Sequence, residues 1–180
     1  MTVRAPAGAP LLHREARTPW AVSVTVFWQG SSGPFRPEAL VSVDGNRWNE
    51  PGVPTVYFAG DLGLALIEAG RHLAPDDQAE PRALWSAKVE TDGIVDIRGG
   101  PGTNDIDEAH RLWFLDSART RQVAESMRTI DGMSGLLVPS AGSPDDLSRA
   151  NLVLYVDRLA RPLGSIVLDP RVIGRIEVGS

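Results

Sequence analysis

The sequence predicts an α+β fold, a compact single domain of short strands with two to four helices. Val22, Val24 and Val26 alternate with Ser23 and Thr25, which is the period of two expected for a strand with one buried face. Further along the chain an apolar stripe has helical spacing, and residues typical of turns separate many short apolar segments. Many short strands combined with a few helices are typical of α+β domains.

The other strands are predicted from short β-branched, aromatic or aliphatic segments bounded by Gly, Pro, Asn and Asp. We expect the first strand to end at Trp28 and the turn cluster that follows it. A turn is predicted at residues 90–93. The further strand candidates are residues 40–43, 54–59, 83–88, 93–97, 133–138 and 151–156, and residues 165–168 and 172–178 are expected to form one or two terminal strands.

Three segments have helical features. Asp61 is the predicted N-cap of a helix that runs to about Leu73, because its carboxylate can accept a hydrogen bond from the first turn. Glu68 lies near the border of this helix's apolar stripe, where partial desolvation strengthens its electrostatic interactions. The stripe itself consists of Leu62, Ala65, Leu66, Ala69 and Leu73. Residues 107–115 and 120–130 are the other two predicted helices.

The length of 180 residues predicts one domain, which we place at residues 21–180, after a loosely ordered Ala- and Pro-rich leader at residues 1–20. No apolar segment approaches the roughly 18–20 residues that span a bilayer, and the leader does not have the pattern of a secretory signal. The chain has no cysteine, which excludes disulfides, a thiol nucleophile and zinc–thiolate sites. We therefore expect a cytoplasmic protein without membrane contact.

Charge and motifs exclude several function classes. The net charge of −5 argues against direct binding of nucleic acid backbones. The three histidines are far apart and form no HExxH or HxH pattern, so no metal is expected. The glycine-rich segment at residues 99–102 lacks the spacing of a phosphate-binding loop, and no GxSxG motif is present.

A dense series of motifs remains. It runs as GNRWNEPG at residues 45–52, a strand containing Tyr57, ALIE at residues 65–68, VPSA at residues 138–141, and Asn151 at the start of a strand. Taken in order over residues 26–156, the series resembles the RES domain family, named for its Arg, Glu and Ser. On this resemblance those three residues are Arg47, Glu68 and Ser140, and the strand Tyr is Tyr57.

The resemblance implies a fold akin to that of ADP-ribosyltransferases and an enzyme that consumes NAD. Members of the family are typically bacterial toxins that break the nicotinamide–ribose bond, by hydrolysis or by phosphorolysis with inorganic phosphate. A cognate antitoxin with a helix-turn-helix domain normally occludes their cleft. NAD is then the substrate, no further cofactor is implied, and a homodimer is compatible with the sequence.

The residue types suit this chemistry. We assign Glu68 and Arg47 as catalytic, since a carboxylate stabilises oxocarbenium character on a ribose and a guanidinium binds phosphate oxygens. Tyr57 is expected to stack on a flat ring, and Ser140 to donate a hydrogen bond to an amide or a phosphate. The further predicted substrate-binding residues are Trp28, Arg36, Trp48 and Asn49.

Ordinary structural roles are the alternatives for these residues. Arg47 can pair with Glu50, and Glu68 can form a helix-surface pair with the residues three or four positions later. Tyr57 can fill the core, and Ser140 can be a turn residue.

The chain departs from the family pattern at two positions. The family usually has an Arg on the first strand followed by an aromatic, and here these positions are Phe27 and Trp28. Asn46 stands where a Gly usually precedes the motif Arg. Arg36 is a candidate replacement for the missing guanidinium. These departures leave two other functions open: a catalytically impaired binding or regulatory module, and an ADP-ribosyltransferase that modifies a macromolecule.

Overall fold

A computed structural model describes residues 20–72, 82–98, 113–114, 116–146 and 149–176. These ranges contain six strands and three α-helices. The strands are β1 (Trp20–Ser31), β2 (Thr55–Ala59), β3 (Arg82–Asp96), β4 (Gly135–Pro139), β5 (Ala150–Tyr155) and β6 (Val167–Ile176). The helices are α1 (Leu62–His72), α2 (Ser117–Arg128) and the single-turn α3 (Leu163–Ile166), and 3-10 turns cover Pro37–Leu40 and Val156–Arg158.

The six strands form one sheet in the order β1-β2-β5-β4-β3-β6, and β1 also pairs with β3. The extra pairing is long, from Trp20 opposite Ile94 to Ser31 opposite Arg82. Because of this pairing, five strands form a closed ring in the order β1-β2-β5-β4-β3. Strand β6 pairs with β3. Only β3 and β4 run parallel among the described strand pairs. The α+β class predicted from the sequence is confirmed.

Two apolar clusters make up most of the core. One contains Trp48 and Trp113 with the buried face of α2, whose Thr120, Val123, Ala124 and Met127 have helical spacing. The other joins side chains of β1, β2, β3 and β5 with α3, and includes Trp28, Phe58 and Trp85. A small third cluster of Ala59, Leu64, Ala65 and Leu84 attaches α1 to the sheet. Helix α1 is thereby fixed across the end of β2.

Several predicted elements are confirmed to within a few residues, namely β2, α1, α2, β4 and β5. Asp61 caps α1 as predicted, since its Oδ1 accepts a hydrogen bond from Leu64 N–H at 2.8 Å. Asp116 caps α2 in the same way through Arg119 N–H at 2.9 Å.

Two predicted strand boundaries are wrong. The first strand continues past Trp28 to Ser31 because β3 pairs with it along its whole length. Residues 83–88 and 93–96 belong to one strand, and the predicted turn at residues 90–93 lies inside it. Gly93, with φ of 75°, accommodates the bend without ending the strand. Of the one or two terminal strands expected at residues 165–178, the structure has one, β6, which begins at Val167 because Ile166 ends α3.

Residues 40–43 also do not form a strand. Leu40 ends the 3-10 turn that Pro37 begins, and Ser42 forms an isolated bridge with Thr55. The predicted apolar stripe of α1 is partly wrong as well. Leu62 and Leu66 are exposed, whereas Leu64 is fully buried together with Ala65 and Ala69.

Two predictions lie outside the described residues. These are the leader, except for Trp20, and the helix at residues 107–115, except for Trp113 and Phe114. None of the described helices is both long enough and apolar enough to cross a membrane.

Candidate active site

A cavity of about 630 Å³ opens where β1, β2, α1 and the start of β5 meet the loop that precedes β2. Five of the residues selected from the sequence line it: Trp28, Arg47, Trp48, Tyr57 and Glu68. They come from four separate segments of the chain. The fold therefore brings together most of the predicted site.

Helix α1 places Glu68 on the cavity wall. Ala65 and Ala69 are buried and also line the cavity, so the helix approaches the sheet closely through small side chains. Glu68 lies between them on the same face and is half-buried. The apolar packing of Leu64 one turn earlier fixes the rotation of the helix about its axis.

Two neutral donors contact the Glu68 carboxylate at the same oxygen. Ser140 Oγ donates to Glu68 Oε1 at 2.7 Å, and Asn151 Nδ2 donates to it at 3.4 Å. Ser140 directly follows β4 and Asn151 is the second residue of β5, and these strands are antiparallel neighbours. The sheet register therefore places both donors opposite α1.

Ser140 is itself held in place. Its hydroxyl oxygen accepts a hydrogen bond from Gly142 N–H at 3.0 Å, and its own N–H donates to Arg149 O at 3.2 Å. The chain Gly142 N–H to Ser140 Oγ–H to Glu68 is continuous, and each hydrogen bond polarises the next.

Arg47 projects from the loop that precedes β2. One of its guanidinium nitrogens donates to Trp113 O at 2.9 Å, and the loop is tightened by a hydrogen bond from Asn46 N–H to Asn49 O at 3.1 Å. Glu50, the alternative partner considered for Arg47, forms an ion pair with Arg121 at 3.5 Å. The guanidinium is half-buried and lines the same cavity as Glu68.

Tyr57 connects this loop to β2. Its hydroxyl donates to Asn49 Oδ1 at 2.7 Å and accepts from Trp48 N–H at 3.2 Å. Burial raises the pKa of Tyr57 well above its usual value, and the Trp48 hydrogen bond and the charge of Arg47 oppose that rise only in part. The hydroxyl therefore stays protonated and acts as a structural hydrogen-bond donor, while the half-buried ring lines the cavity.

The aromatic residues on the wall differ in how much surface they offer. Trp48 is only 2% exposed and packs on Trp113, with ring centroids 5.3 Å apart. Trp28 is 7% exposed and stacks on Trp85 at 5.9 Å. Both tryptophans are therefore mainly core residues that reach the cavity with part of a ring. Phe27 is half-buried and lines the cavity directly.

Three predicted substrate-binding residues do not line the cavity. Arg36 is exposed in the turn before the 3-10 segment. Asn49 is fully buried, and its Nδ2 donates to Asp44 O and Glu50 O, so it shapes the loop. Ser140 is fully buried as well. Its hydroxyl contacts Glu68, which places it behind the carboxylate.

Asn151 lines the cavity and belongs to the motif series, but it has no predicted role. The signal was its position at the start of a strand, where a polar side chain interrupts an otherwise apolar segment. Gly142 is a second residue without a predicted role, and a glycine in a loop that follows a strand is typical of an ordinary turn. Among the described residues no group of three or more His, Asp or Glu could hold a metal ion.

A family model described as the RES domain matches residues 18–171. The chain belongs to the RES-domain family. The match contains all the motifs from Phe27 to Asn151, so the resemblance expected from them is confirmed.

A curated protein and a solved structure are among the proteins similar to this RES-domain chain. A protein named Toxin Res, from Photorhabdus laumondii, is 27% identical over 136 residues, which cover 74% of this chain and 76% of that protein. A chain in the crystal structure of the M. tuberculosis MbcT-MbcA toxin-antitoxin complex has a TM-score of 0.57 at 21% identity. That similarity covers 91% of this chain and 92% of the other, and it supports the RES-type fold.

Proposed function

We propose that this protein is a toxin-type enzyme that cleaves the nicotinamide–ribose bond of NAD. One observation carries the proposal: the Glu68 carboxylate lies on the wall of a cavity of about 630 Å³ that Arg47 also lines, and Ser140 and Asn151 donate hydrogen bonds to it. Membership of the RES-domain family supports it, as does the similarity to a relative named as a toxin.

The reaction needs electrostatic stabilisation on one side of the ribose. The bond from ribose C1′ to the nicotinamide nitrogen breaks, and its electron pair leaves with nicotinamide. Positive charge develops on the ribose ring in the transition state. A carboxylate in van der Waals contact with the ring stabilises that charge. Water then forms the new bond to C1′ and releases a proton to solvent, giving nicotinamide, ADP-ribose and H⁺. Inorganic phosphate is the alternative acceptor.

Arg47 and the apolar wall have separate roles in this proposal. The guanidinium of Arg47 binds a pyrophosphate oxygen of NAD, since Arg geometry suits phosphate recognition. Tyr57 and Phe27 present half-buried rings against which a planar base packs. The partner that we propose is a protein antitoxin with a helix-turn-helix domain, which covers the cavity mouth and keeps the enzyme inactive in the cytoplasm.

Nicotinamide release from NAD by the purified protein, freed of any bound partner, tests the proposed activity. The assay is run with water alone and with added phosphate. Glu68→Gln keeps the shape of the side chain and removes its charge, and we expect the rate to fall by about a hundredfold or more. Glu38→Gln is the matched control, because Glu38 is exposed on the 3-10 segment and does not line the cavity. Intact NAD under both conditions would contradict the proposal.

A second candidate function is a binding module that retains the fold and has lost catalysis. The specific observation in its favour is Phe27, which puts an uncharged ring on the cavity wall where relatives usually carry an Arg. Wild-type protein that binds NAD without cleaving it, together with a Phe27→Arg variant that cleaves it, would establish this function instead.

A further inference from the structure

We infer that Asn151 is a positioning residue for Glu68, which it holds in the orientation that faces the cavity. The inference rests on the proposed function, because it assigns the task of positioning to a residue that serves the same carboxylate. Asn151 is the second residue of β5. It is half-buried and lines the same cavity as Glu68.

The amide of Asn151 has one favourable orientation. With Nδ2 towards Glu68, the 3.4 Å contact joins an N–H donor to a carboxylate oxygen. The opposite orientation would place Oδ1 against the same oxygen, and two acceptors facing each other repel. The carboxylate of Glu68 therefore determines how the Asn151 amide points.

Two donors from different segments restrain a carboxylate more than one does. The short bond from Ser140 sets the distance of Oε1 from the loop after β4. Asn151 approaches the same oxygen from β5, so the two contacts together restrict the position of Oε1 more than the bond from Ser140 alone. Since small errors in the placement of a catalytic group lower the rate steeply, the longer and weaker of the two contacts still affects catalysis.

The remaining polar atom of Asn151 shows that this arrangement has a cost in stability. Asn151 Oδ1 is buried and accepts no hydrogen bond from any of the residues that the structure describes. An unsatisfied buried acceptor destabilises the folded state. Asn151 pairs with Ala59 and Val138 in the sheet, where an aliphatic side chain fits well. An apolar residue would therefore suit the fold better than Asn does.

The test is Asn151→Leu, assayed by NAD cleavage and by thermal unfolding. We expect kcat to fall about tenfold or more, as for loss of a hydrogen bond to a charged group, while KM changes by less than about twofold. The Tm stays equal to that of the wild type or rises, because the buried acceptor is removed. Asn151→Asp puts a second carboxylate beside Glu68, and its kcat falls further. Ser165→Ala is the control, since Ser165 donates to Pro162 O at the exposed start of α3.

Two results would overturn the inference: a wild-type kcat in Asn151→Leu, or a Tm that falls in parallel with kcat, which indicates a structural role. A crystal structure of Asn151→Leu provides a readout independent of catalysis. Several orientations of the Glu68 carboxylate support the inference, and one unchanged orientation contradicts it. Wild-type protein that leaves NAD intact counts against the proposed function alone, and the crystallographic result still decides the role of Asn151.

Discussion

Ser140 donates its hydroxyl hydrogen to Glu68 Oε1 across 2.7 Å, so the loop after β4 is bonded to a helix 72 residues away in the sequence. Ser140 is fully buried, and a hydrogen bond to a charged group shielded from water is stronger than the same bond at the surface. The hydroxyl also accepts the Gly142 N–H, so both of its hydrogen-bonding functions are used. In the proposed function Ser140 therefore acts through Glu68, because it is buried behind the carboxylate.

Removing the Ser140 hydroxyl should lower both activity and stability. Ser140→Ala leaves Gly142 N–H without its acceptor and Glu68 without its closest donor, which costs about 1–3 kcal/mol of unfolding free energy. We expect kcat to fall by more than in Asn151→Leu, because the lost bond is shorter. Urea unfolding and NAD cleavage measure the two effects. Wild-type activity in Ser140→Ala would show that the orientation of Glu68 does not depend on this contact.

A methyl group at Gly142 should displace the Glu68 carboxylate by steric contact. A Cβ at this position would lie 3.0 Å from Ile67 Cγ2 and 3.3 Å from both Glu68 Oε1 and Ser140 Oγ. Ile67 is 41% exposed and can move outwards, so we expect a small change in Tm but a clear fall in kcat for Gly142→Ala. Adding Ile67→Ala removes the tightest contact and should restore part of the activity. An unchanged kcat in Gly142→Ala would contradict the crowding argument.

Tyr57→Phe should destabilise the loop that carries Arg47. The change keeps the ring on the cavity wall but leaves the buried Asn49 Oδ1 and the Trp48 N–H without their partner, at a cost of about 1–3 kcal/mol. Chemical denaturation measures this loss. KM for NAD should rise more than kcat falls, because the loop holds Arg47 in place. Equal stability of the two proteins would show that the hydroxyl is dispensable to the loop.

Local signals in the sequence predicted the parts of the fold that depend on near neighbours. The N-cap at Asp61 and the alternation of Val22, Val24 and Val26 involve residues within one turn or one strand, so composition and spacing were sufficient. The turn predicted at residues 90–93 failed because pairing with β1 outweighs the local preference of that segment.

Contacts distant in sequence could not be predicted from the residues alone. Asn151 and Glu68 are 83 positions apart, and the contact depends on the register between β4, β5 and β2. For the same reason the sequence placed Ser140 in contact with a ligand, whereas the structure buries it behind Glu68. Motif resemblance selected the candidate site residues, and only the tertiary structure separated those on the cavity wall from those behind it.

Gly93 should be intolerant of any side chain. Its φ of 75° is unfavourable for other residues, and a Cβ there would overlap Gly132 O and lie 3.0 Å from Ser134 N. We expect Gly93→Ala to cost about 2 kcal/mol or more. Gly132→Ala is the matched control: its φ is 72°, but no atom lies within 4 Å of the added Cβ, so it reports the backbone strain alone. Equal losses in the two variants would exclude the steric contribution.

The ion pair at the start of α1 should make stability depend on pH in the acidic range. Arg149 donates to both carboxylate oxygens of Asp61, at 2.6 and 3.0 Å, and joins the start of β5 to the helix that carries Glu68. The hydrogen bond from Arg149 lowers the pKa of Asp61 below its ordinary value, with a further contribution from Leu64 N–H. A carboxyl with a lowered folded-state pKa stabilises the protein above its unfolded-state pKa, and that stabilisation is lost as the pH falls through the folded-state value.

Asp61→Asn isolates this effect, because Asn retains the capping oxygen and removes the charge. Wild type should be more stable than the variant at pH 7, and the difference should shrink as the pH falls below about 4, the ordinary range of an Asp carboxyl. The side chain of Arg149 is 28% exposed and that of Asp61 is 44% exposed, so solvent screens the ion pair. The stability difference between wild type and Asp61→Asn is therefore small, and it decreases with added salt. Urea unfolding of both proteins between pH 7 and pH 3 measures it. A stability difference that stays constant over that range would mean that the ionised carboxylate does not stabilise this junction.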